Sequence, residues 1–221
     1  MKILDQFEQA NAFDYENGFY LTSQLSRMSK LLAHYELYKK ITQLPGAIVE
    51  CGIFKGASFL QFASFRNLLE NEISRKLIGF DIFGDFPETQ FKEDVRYLND
   101  FIKSAGNKSI TEEELAFVLS SKNIGNYTLV KGDINTTVPN FVQSNPHLKI
   151  ALLHIDTDVY EPAVTILNNM YDLIVRGGII VLDDYATFPG ETKAVDEFFA
   201  DKNIVIQKFS FSHIPAYIIK P

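Results

Sequence analysis

The sequence predicts an α/β fold in which a parallel sheet is covered by helices on both faces and ends in an antiparallel strand. Apolar, strand-like runs alternate along the chain with helix-forming segments. The first five of these runs are continuously apolar, as expected for strands buried on both faces. Only the segment 210–215 separates the last two runs, which is too short for a parallel crossover. These observations favour a Rossmann-like, doubly wound, seven-stranded sheet whose last strand is antiparallel.

Apolar spacing and turn residues give the order of the elements. The first helix has apolar residues at helical spacing and is stopped by the Leu-Pro-Gly sequence at 44–46. The second helix opens on Gly56 and Ser58, and the helix after the fourth strand carries Pro162 in its first turn. The predicted strands are 47–53, 76–83, 126–133, 149–158, 177–185, 204–209 and 216–220. The predicted helices are 26–42, 55–72, 88–105, 111–121, 139–145, 161–175 and 191–202.

Length and composition indicate one soluble domain. The 221 residues, of which 46% are hydrophobic and 22% charged, suffice for a sizeable core. We therefore predict a single domain over 1–221, with an N-terminal helical lid at 1–44 and a helical cap insertion at 84–125. The net charge of −7 and the lack of a basic patch argue against a nucleic-acid partner. No apolar run reaches the ~18–20 residues of a membrane span and the N-terminal segment is acidic, so we expect no membrane association and a cytoplasmic protein.

A glycine-containing turn follows the first strand. Gly52 and Gly56 allow the backbone to approach a ligand, and Ser58 lies in the first turn of the next helix, whose N–H groups are free. The spacing matches neither the GxGxxG nor the P-loop pattern. Glu50 argues against an anionic ligand and for one with an ammonium or sulfonium group. Alone, the glycines are equally well explained as a tight turn.

Acidic residues also end the next two strands. Asp81 suits a ribose diol, because one carboxylate can accept hydrogen bonds from two adjacent hydroxyls. Asp133 can accept from an adenine amino group. Taken alone, each acid is better explained as a solvated loop residue. Together with Glu50 and the glycine turn they describe a pocket for an adenosine with a cationic tail, which is S-adenosylmethionine.

Two pairs of carboxylates end the fourth and fifth strands. Asp156 and Asp158 follow one apolar run, and Asp183 and Asp184 follow the other. Four carboxylates at the ends of two apolar strands favour a site for a cation, a proton or a hydroxyl. Either pair alone could instead cap a helix or be solvated.

The motifs resemble, in order and spacing, those of the macrocin O-methyltransferase family, a group of class I S-adenosylmethionine-dependent enzymes that methylate sugar hydroxyls. The resemblance runs from about residue 32 to 199 and is most specific in the sequences HIDTDVY and LDDY at 154–160 and 182–185. It implies that Asp156, Asp183 and Asp184 bind Mg²⁺ or another divalent metal through hard oxygen ligands, and that Asp158 is the general base on the acceptor hydroxyl.

The resemblance also implies which residues hold the cofactor, in the turn after the first strand and at the ends of the next three strands. They are Glu50, Gly52, Phe54, Gly56, Ser58, Asp81, Asp133 and Asp156. Departures from the family pattern are Thr157 and Pro162, where glycine and serine are common, and a shorter C-terminal tail. His213, in the loop before the last strand, is a candidate second base.

The expected acceptor is a small-molecule sugar, which is either a deoxysugar linked to a nucleotide or a sugar unit of a glycan or natural product. The expected assembly is a homo-oligomer, a dimer or higher. Two alternatives stay open on the sequence alone. A catechol offers the same vicinal oxygens as a sugar diol, and a non-catalytic module could bind S-adenosylmethionine without turnover.

Overall fold

The computed structural model describes residues 2–221, within which the chain forms nine strands and eight α-helices. Met1, the first residue of the predicted domain and of the predicted lid, lies outside the described residues. The strands are β1 (Lys2–Leu4), β2 (Phe7–Glu8), β3 (Ala47–Cys51), β4 (Leu77–Asp81), β5 (Tyr127–Lys131), β6 (Ile150–Ile155), β7 (Ile174–Leu182), β8 (Gln207–Lys208) and β9 (Ala216–Ile219). The helices are α1 (Ala12–Thr22), α2 (Leu25–Ile41), α3 (Ala57–Leu69), α4 (Lys92–Ala105), α5 (Glu112–Ser121), α6 (Ile134–Ser144), α7 (Tyr160–Met170) and α8 (Pro189–Phe199).

Seven strands form one sheet in the order β5-β4-β3-β6-β7-β9-β8. The first five strands in this order are parallel, and β9 runs antiparallel to both β7 and β8. The predicted doubly wound sheet and its antiparallel close are therefore confirmed. The strand order reverses direction between β3 and β6, and ligands of such sheets bind at that point, outside the carboxyl ends of the strands.

The continuous apolar runs are explained by burial on both faces of the sheet. Every residue of β3, β4 and β6 is buried. One face packs with α6, α7 and α8, where Ile155 and Ile166 belong to the same cluster. The other face packs with α2, α3 and α5, where Ile48, Phe59 and Leu115 do so. Burying such a side chain contributes about 1.5–3 kcal/mol, so the central strands are where the fold is fixed.

Several elements differ from the sequence prediction. The segment before the first predicted helix contains a short hairpin, β1–β2, and the helix α1, none of whose residues is buried. Helix α6 begins at Ile134, five residues before the predicted start, because the Asp133 side chain caps it by accepting from Asn135 N at 2.9 Å. Pro139 therefore lies inside the helix rather than at its start.

Two helices, α4 and α5, occupy the predicted insertion at 84–125. Side chains at the start of α7 bind this segment: the Glu161 carboxylate accepts from Gln90 N at 2.7 Å and from Phe91 N at 2.9 Å. In the part of the chain that the structure describes, no helix combines the length and the apolar character needed to cross a membrane.

Candidate active site

A cavity of about 950 Å³ opens at the carboxyl ends of the parallel strands. Each parallel strand contributes a residue that directly follows it: Gly52, Ile82, Gly132, Asp156 and Asp183. The position is the one that the reversal of strand order predicts.

Most of the predicted site residues meet in this cavity. Those that line it are Gly52, Phe54, Ser58, Asp81, Asp133, Asp156, Asp158, Asp183 and Asp184. Three others do not. Glu50 is completely buried. Gly56 is the residue that precedes α3, and His213 is exposed. The neighbour of His213, Ile214, does line the cavity.

The loop after β3 approaches β6 too closely for any residue but glycine at position 52. Gly52 has φ +91°, and a Cβ there would lie 1.7 Å from the backbone oxygen of Asp156. Asp81 fixes the same loop, since its Oδ2 accepts from Ile53 N at 2.8 Å and from Phe54 N at 3.0 Å. The backbone of this loop is thus in direct contact with the backbone of Asp156. The predicted contact of Asp81 with a ribose stays a prediction.

Glu50 lies in the core next to the site, where it contacts Ser58 and His154. Its Oε1 accepts a hydrogen bond from Ser58 Oγ at 2.5 Å and lies 3.7 Å from Nδ1 of His154. Both Glu50 and His154 are completely buried. The groups that Glu50 contacts in the structure therefore belong to the protein itself. The predicted contact of Glu50 with the cofactor stays a prediction.

The carboxylates of Asp156, Asp183 and Asp184 come together because β6 and β7 end in register. Ile155 pairs with Leu182, so the residues that follow them project side by side. Each of the three carboxylates offers an oxygen, and these oxygens lie within 4.8 Å of one another. Asp184 and Asp158 are buried, and Asp158 N donates to Asp184 Oδ2 at 3.3 Å. The alternatives of a solvated Asp184 or of Asp158 as a helix cap are not what the structure shows, since the residue preceding α7 is Val159 and α7 has no side-chain cap.

Positively charged groups surround Asp183. Lys30 Nζ donates a short hydrogen bond to Asp183 Oδ2, and His154 Nε2 lies 3.2 Å from Asp183 Oδ1. Burial alone would raise the pKa of Asp183, but attraction by Lys30 and His154 holds it well below its usual range. Burial works against the charged forms of Lys30 and His154. Attraction to the acids outweighs it, raising the pKa of Lys30 and raising that of His154 to about 10.

The remaining acids of the cluster hold their protons more tightly. Burial and then repulsion from Asp183 raise the pKa of Asp156 to about 7. Burial and then repulsion from Asp156 raise the pKa of Asp158 to about 8. Burial also raises the pKa of Asp184 well above its usual range, and repulsion from Asp158 adds to this. Without a bound cation, the cluster is therefore partly protonated near neutral pH.

Sequence reasoning missed several residues of the site. Lys30 and His34 stand four residues apart on the buried side of α2, and both line the cavity. Two polar residues at helical spacing on an inward face were the available signal. Glu191, completely buried, accepts from Asp184 N at 3.1 Å.

The far wall of the cavity is aromatic. Phe54, Phe86 and Phe101 contact one another with ring centroids 5.3–5.6 Å apart, and Phe188 lies 6.4 Å from Phe101. All four rings line the cavity. No short sequence motif marks this set, because its members come from four separate segments.

The residues present fit both groups that the sequence implies. Glycine backbone and two strand-end aspartates suit the parts of S-adenosylmethionine. Three carboxylates suit a hard divalent ion, and the Lys30 ammonium lies against Asp183 and 3.9 Å from Asp156 Oδ2, so a cation is already favoured there.

The chain is similar to several known methyltransferases. The family model described as Macrocin-O-methyltransferase (TylF) matches residues 8–214. The demethyldecarbamoylnovobiocin O-methyltransferase of Streptomyces niveus is 27% identical over 169 residues, which are 73% of this chain and 61% of that protein. The chain thus spans about three fifths of the length of this relative.

Two solved structures of CalS11 are similar over nearly the whole chain. One, described as a calicheamicin methyltransferase, has a TM-score of 0.78 at 26% identity and covers 96% of this chain and 86% of that chain. The other, an apo structure described as a TDP-rhamnose 3′-O-methyltransferase, has a TM-score of 0.68 at 25% identity and covers 97% and 87%.

Proposed function

The chain belongs to the macrocin O-methyltransferase family, and we propose that it transfers a methyl group from S-adenosylmethionine to a sugar hydroxyl. One observation carries the proposal: the glycine loop and the acid cluster meet at a single cavity, with Gly52 packed against the backbone of Asp156. CalS11 is described as acting on a sugar, TDP-rhamnose. A nucleotide-linked sugar and a sugar within a glycan or natural product are both acceptors of this class.

The cofactor would lie along the loop after β3. S-adenosylmethionine supplies an electrophilic methyl group when it is bound. Gly52 lines the cavity where its methionine part would lie, and Asp81 keeps the loop in place through two backbone hydrogen bonds. Asp133 is exposed at the edge of the cavity, where it can accept from a base. These residues bind and orient, and by fixing the methyl donor they lower the entropic part of the barrier.

Asp156, Asp183 and Asp184 would hold a divalent metal ion, Mg²⁺ in the first instance. Such an ion, when bound, supplies positive charge that lowers the pKa of a neighbouring hydroxyl. Support for this part of the proposal comes from the three oxygens within 4.8 Å of one another and from the cation already favoured beside them.

Asp158 would accept the proton of the acceptor hydroxyl. Its side chain lines the cavity two residues after Asp156, and its raised pKa of about 8 suits a base that works near neutral pH. His213 has no supporting contact, since it is exposed and does not line the cavity. We therefore assign the proton to Asp158 alone.

The aromatic wall would receive the acceptor. Flat apolar rings suit the C–H face of a sugar, and equally the ring of a catechol. The four phenylalanines are the specific observation that keeps a catechol as a second candidate.

The test is a methyl-transfer assay with labelled S-adenosylmethionine, with TDP-rhamnose, simple glycosides or catechol as acceptor, in Mg²⁺ or in EDTA. We expect transfer to a sugar, loss of transfer in EDTA and its return with excess Mg²⁺. Transfer to catechol and to none of the sugars would show that the acceptor is a catechol. Turnover that persists in EDTA would remove the metal from the proposal. Absence of S-adenosylmethionine binding by calorimetry at millimolar ligand would overturn the activity itself.

A further inference from the structure

Lys30 stands in the acid cluster although it comes from the other end of the chain. Its Nζ donates to Asp183 Oδ2 and lies 3.9 Å from Asp156 Oδ2. Its side chain is 16% exposed, and that of Asp183 is 3% exposed. The ammonium is therefore withdrawn from bulk water and placed between two of the carboxylates that would hold a metal.

An ammonium and a divalent ion compete for the same oxygens. Both oxygens of Asp183 already have partners, Lys30 at Oδ2 and His154 at Oδ1. A metal ion that binds Oδ2 competes with Lys30 for that oxygen, and two positive charges a few ångströms apart repel each other. The Lys30 side chain has four flexible carbons and lines a roomy cavity, so it can move aside.

We propose that Lys30 is an internal counter-ion that neutralises the acid cluster in the absence of metal and must leave Asp183 when a divalent ion binds. The inference rests on the proposed metal site. Its consequence is that Lys30 weakens metal binding: the ion must supply the free energy that separates Lys30 from Asp183. A purely supporting Lys30 would have the opposite effect, because its loss would loosen Asp183 and weaken metal binding.

The experiment is a titration of the full chain with Mn²⁺, followed by the electron paramagnetic resonance signal of the free ion. We expect Lys30→Met to bind Mn²⁺ at least tenfold more tightly than the unmodified protein. Lys30→Arg, which keeps the charge, is expected to stay within about threefold of the unmodified protein. Lys40→Met, on the exposed side of the same helix, is the matched control and should leave the affinity unchanged.

Equal or weaker Mn²⁺ binding by Lys30→Met would overturn the proposal. Should that variant fail to fold, Lys30→Gln keeps a hydrogen-bond donor without the charge, and the same tenfold gain is expected of it. If no variant binds Mn²⁺, the proposed counter-ion role of Lys30 is wrong. Methyl transfer that continues in EDTA would then show that the proposed metal requirement is wrong as well. If transfer requires metal but Lys30→Met has the affinity of the unmodified protein, only the role of Lys30 falls.

Discussion

Asp158 has a backbone conformation that few residues other than glycine adopt. Its φ is +62°, in the left-handed region, where aspartate and asparagine are tolerated better than most residues. This turn directs the chain from β6 into α7 while the side chain stays at the cavity instead of capping the helix. The backbone thus presents a buried carboxylate to the cavity.

Replacing Asp158 by asparagine tests the general base. Asparagine keeps the size and tolerates the same φ, so we expect S-adenosylmethionine binding by calorimetry to be unchanged. Methyl transfer should fall about 10²–10⁴-fold, the usual contribution of a positioned base. The matched control is Asp172→Asn, on the surface before β7, which should keep full activity. An active Asp158→Asn would show that another group takes the proton.

At the scale of elements, α4 is fastened to the two helices that follow the acid pairs. Asp94 is completely buried, its Oδ2 accepts from Tyr160 N at 2.9 Å, and its Oδ1 accepts from Gly190 N at 2.7 Å. A single carboxylate therefore satisfies free N–H groups in the first turns of both α7 and α8. A Cβ at position 190 would lie 1.9 Å from Asp94 Oδ2, so the contact also requires that glycine.

Asp94→Asn should loosen this attachment. The amide keeps one acceptor oxygen and turns an NH₂ group toward a backbone donor, which leaves a buried N–H unpaired. We expect the free energy of unfolding, from urea titration, to fall by about 1–3 kcal/mol, and the KM for the acceptor to rise more than the Kd for S-adenosylmethionine. Asp100→Asn, on the exposed side of α4, is the control. A rise in both constants alike would mean that Asp94 only stabilises the fold.

Elements with strong apolar patterns were predictable, and those fixed by polar contacts were not. The buried runs of β3, β4 and β6 identified the sheet, because only a doubly covered sheet buries every residue of a strand. The start of α6 was missed because the Asp133 cap competes with the usual preference of Pro139 for the first turn of a helix. The helix α1 and the hairpin lacked a buried face, so their sequence carried no periodic signal.

At the scale of the whole molecule, four buried charges alternate in sign across neighbouring strands on the face of the sheet that α2 covers. Glu50, His154, Asp183 and Lys30 follow one another with contacts of 3.7 Å, 3.2 Å and a short hydrogen bond. This row of side chains connects Glu50, which is hydrogen-bonded to Ser58 after the β3 loop, with the acids at the ends of β6 and β7. Each member is compensated by its neighbours, and removing one leaves an unpaired buried charge.

His154 makes stability depend on pH in a defined direction. Its pKa is about 10 in the folded protein and about 6.5 in an unfolded chain. Its contribution is therefore complete below about pH 6.5 and declines as the pH rises toward 10, by at most roughly 1.4 kcal/mol per pH unit. We expect the difference in free energy of unfolding between the unmodified protein and His154→Gln, measured in EDTA, to shrink steadily over this range. A difference that is constant with pH would mean that His154 is neutral.

The site was predictable where its residues follow strands and not where they reach it from elsewhere. Asp156, Asp183 and Asp184 could be found because parallel strands end at one edge. Lys30 and Asp94 were missed because their partners lie 153 and 66 residues away along the chain. The spacing of Lys30 and His34 marked a polar inward face of α2 but not the partner of that face.

The attachment of α4 has a consequence for how acceptor preference can evolve. The helix supplies Leu98 and Phe101 to the cavity, and its hydrogen bonds to α7 and α8 run from the Asp94 carboxylate to backbone N–H groups. Substitutions at Leu98 and Phe101 can therefore change the shape of the cavity without altering the carboxylates at the strand ends. We expect laboratory selection for new acceptors to accumulate changes in α4 while Asp94 and the acids at the strand ends stay fixed.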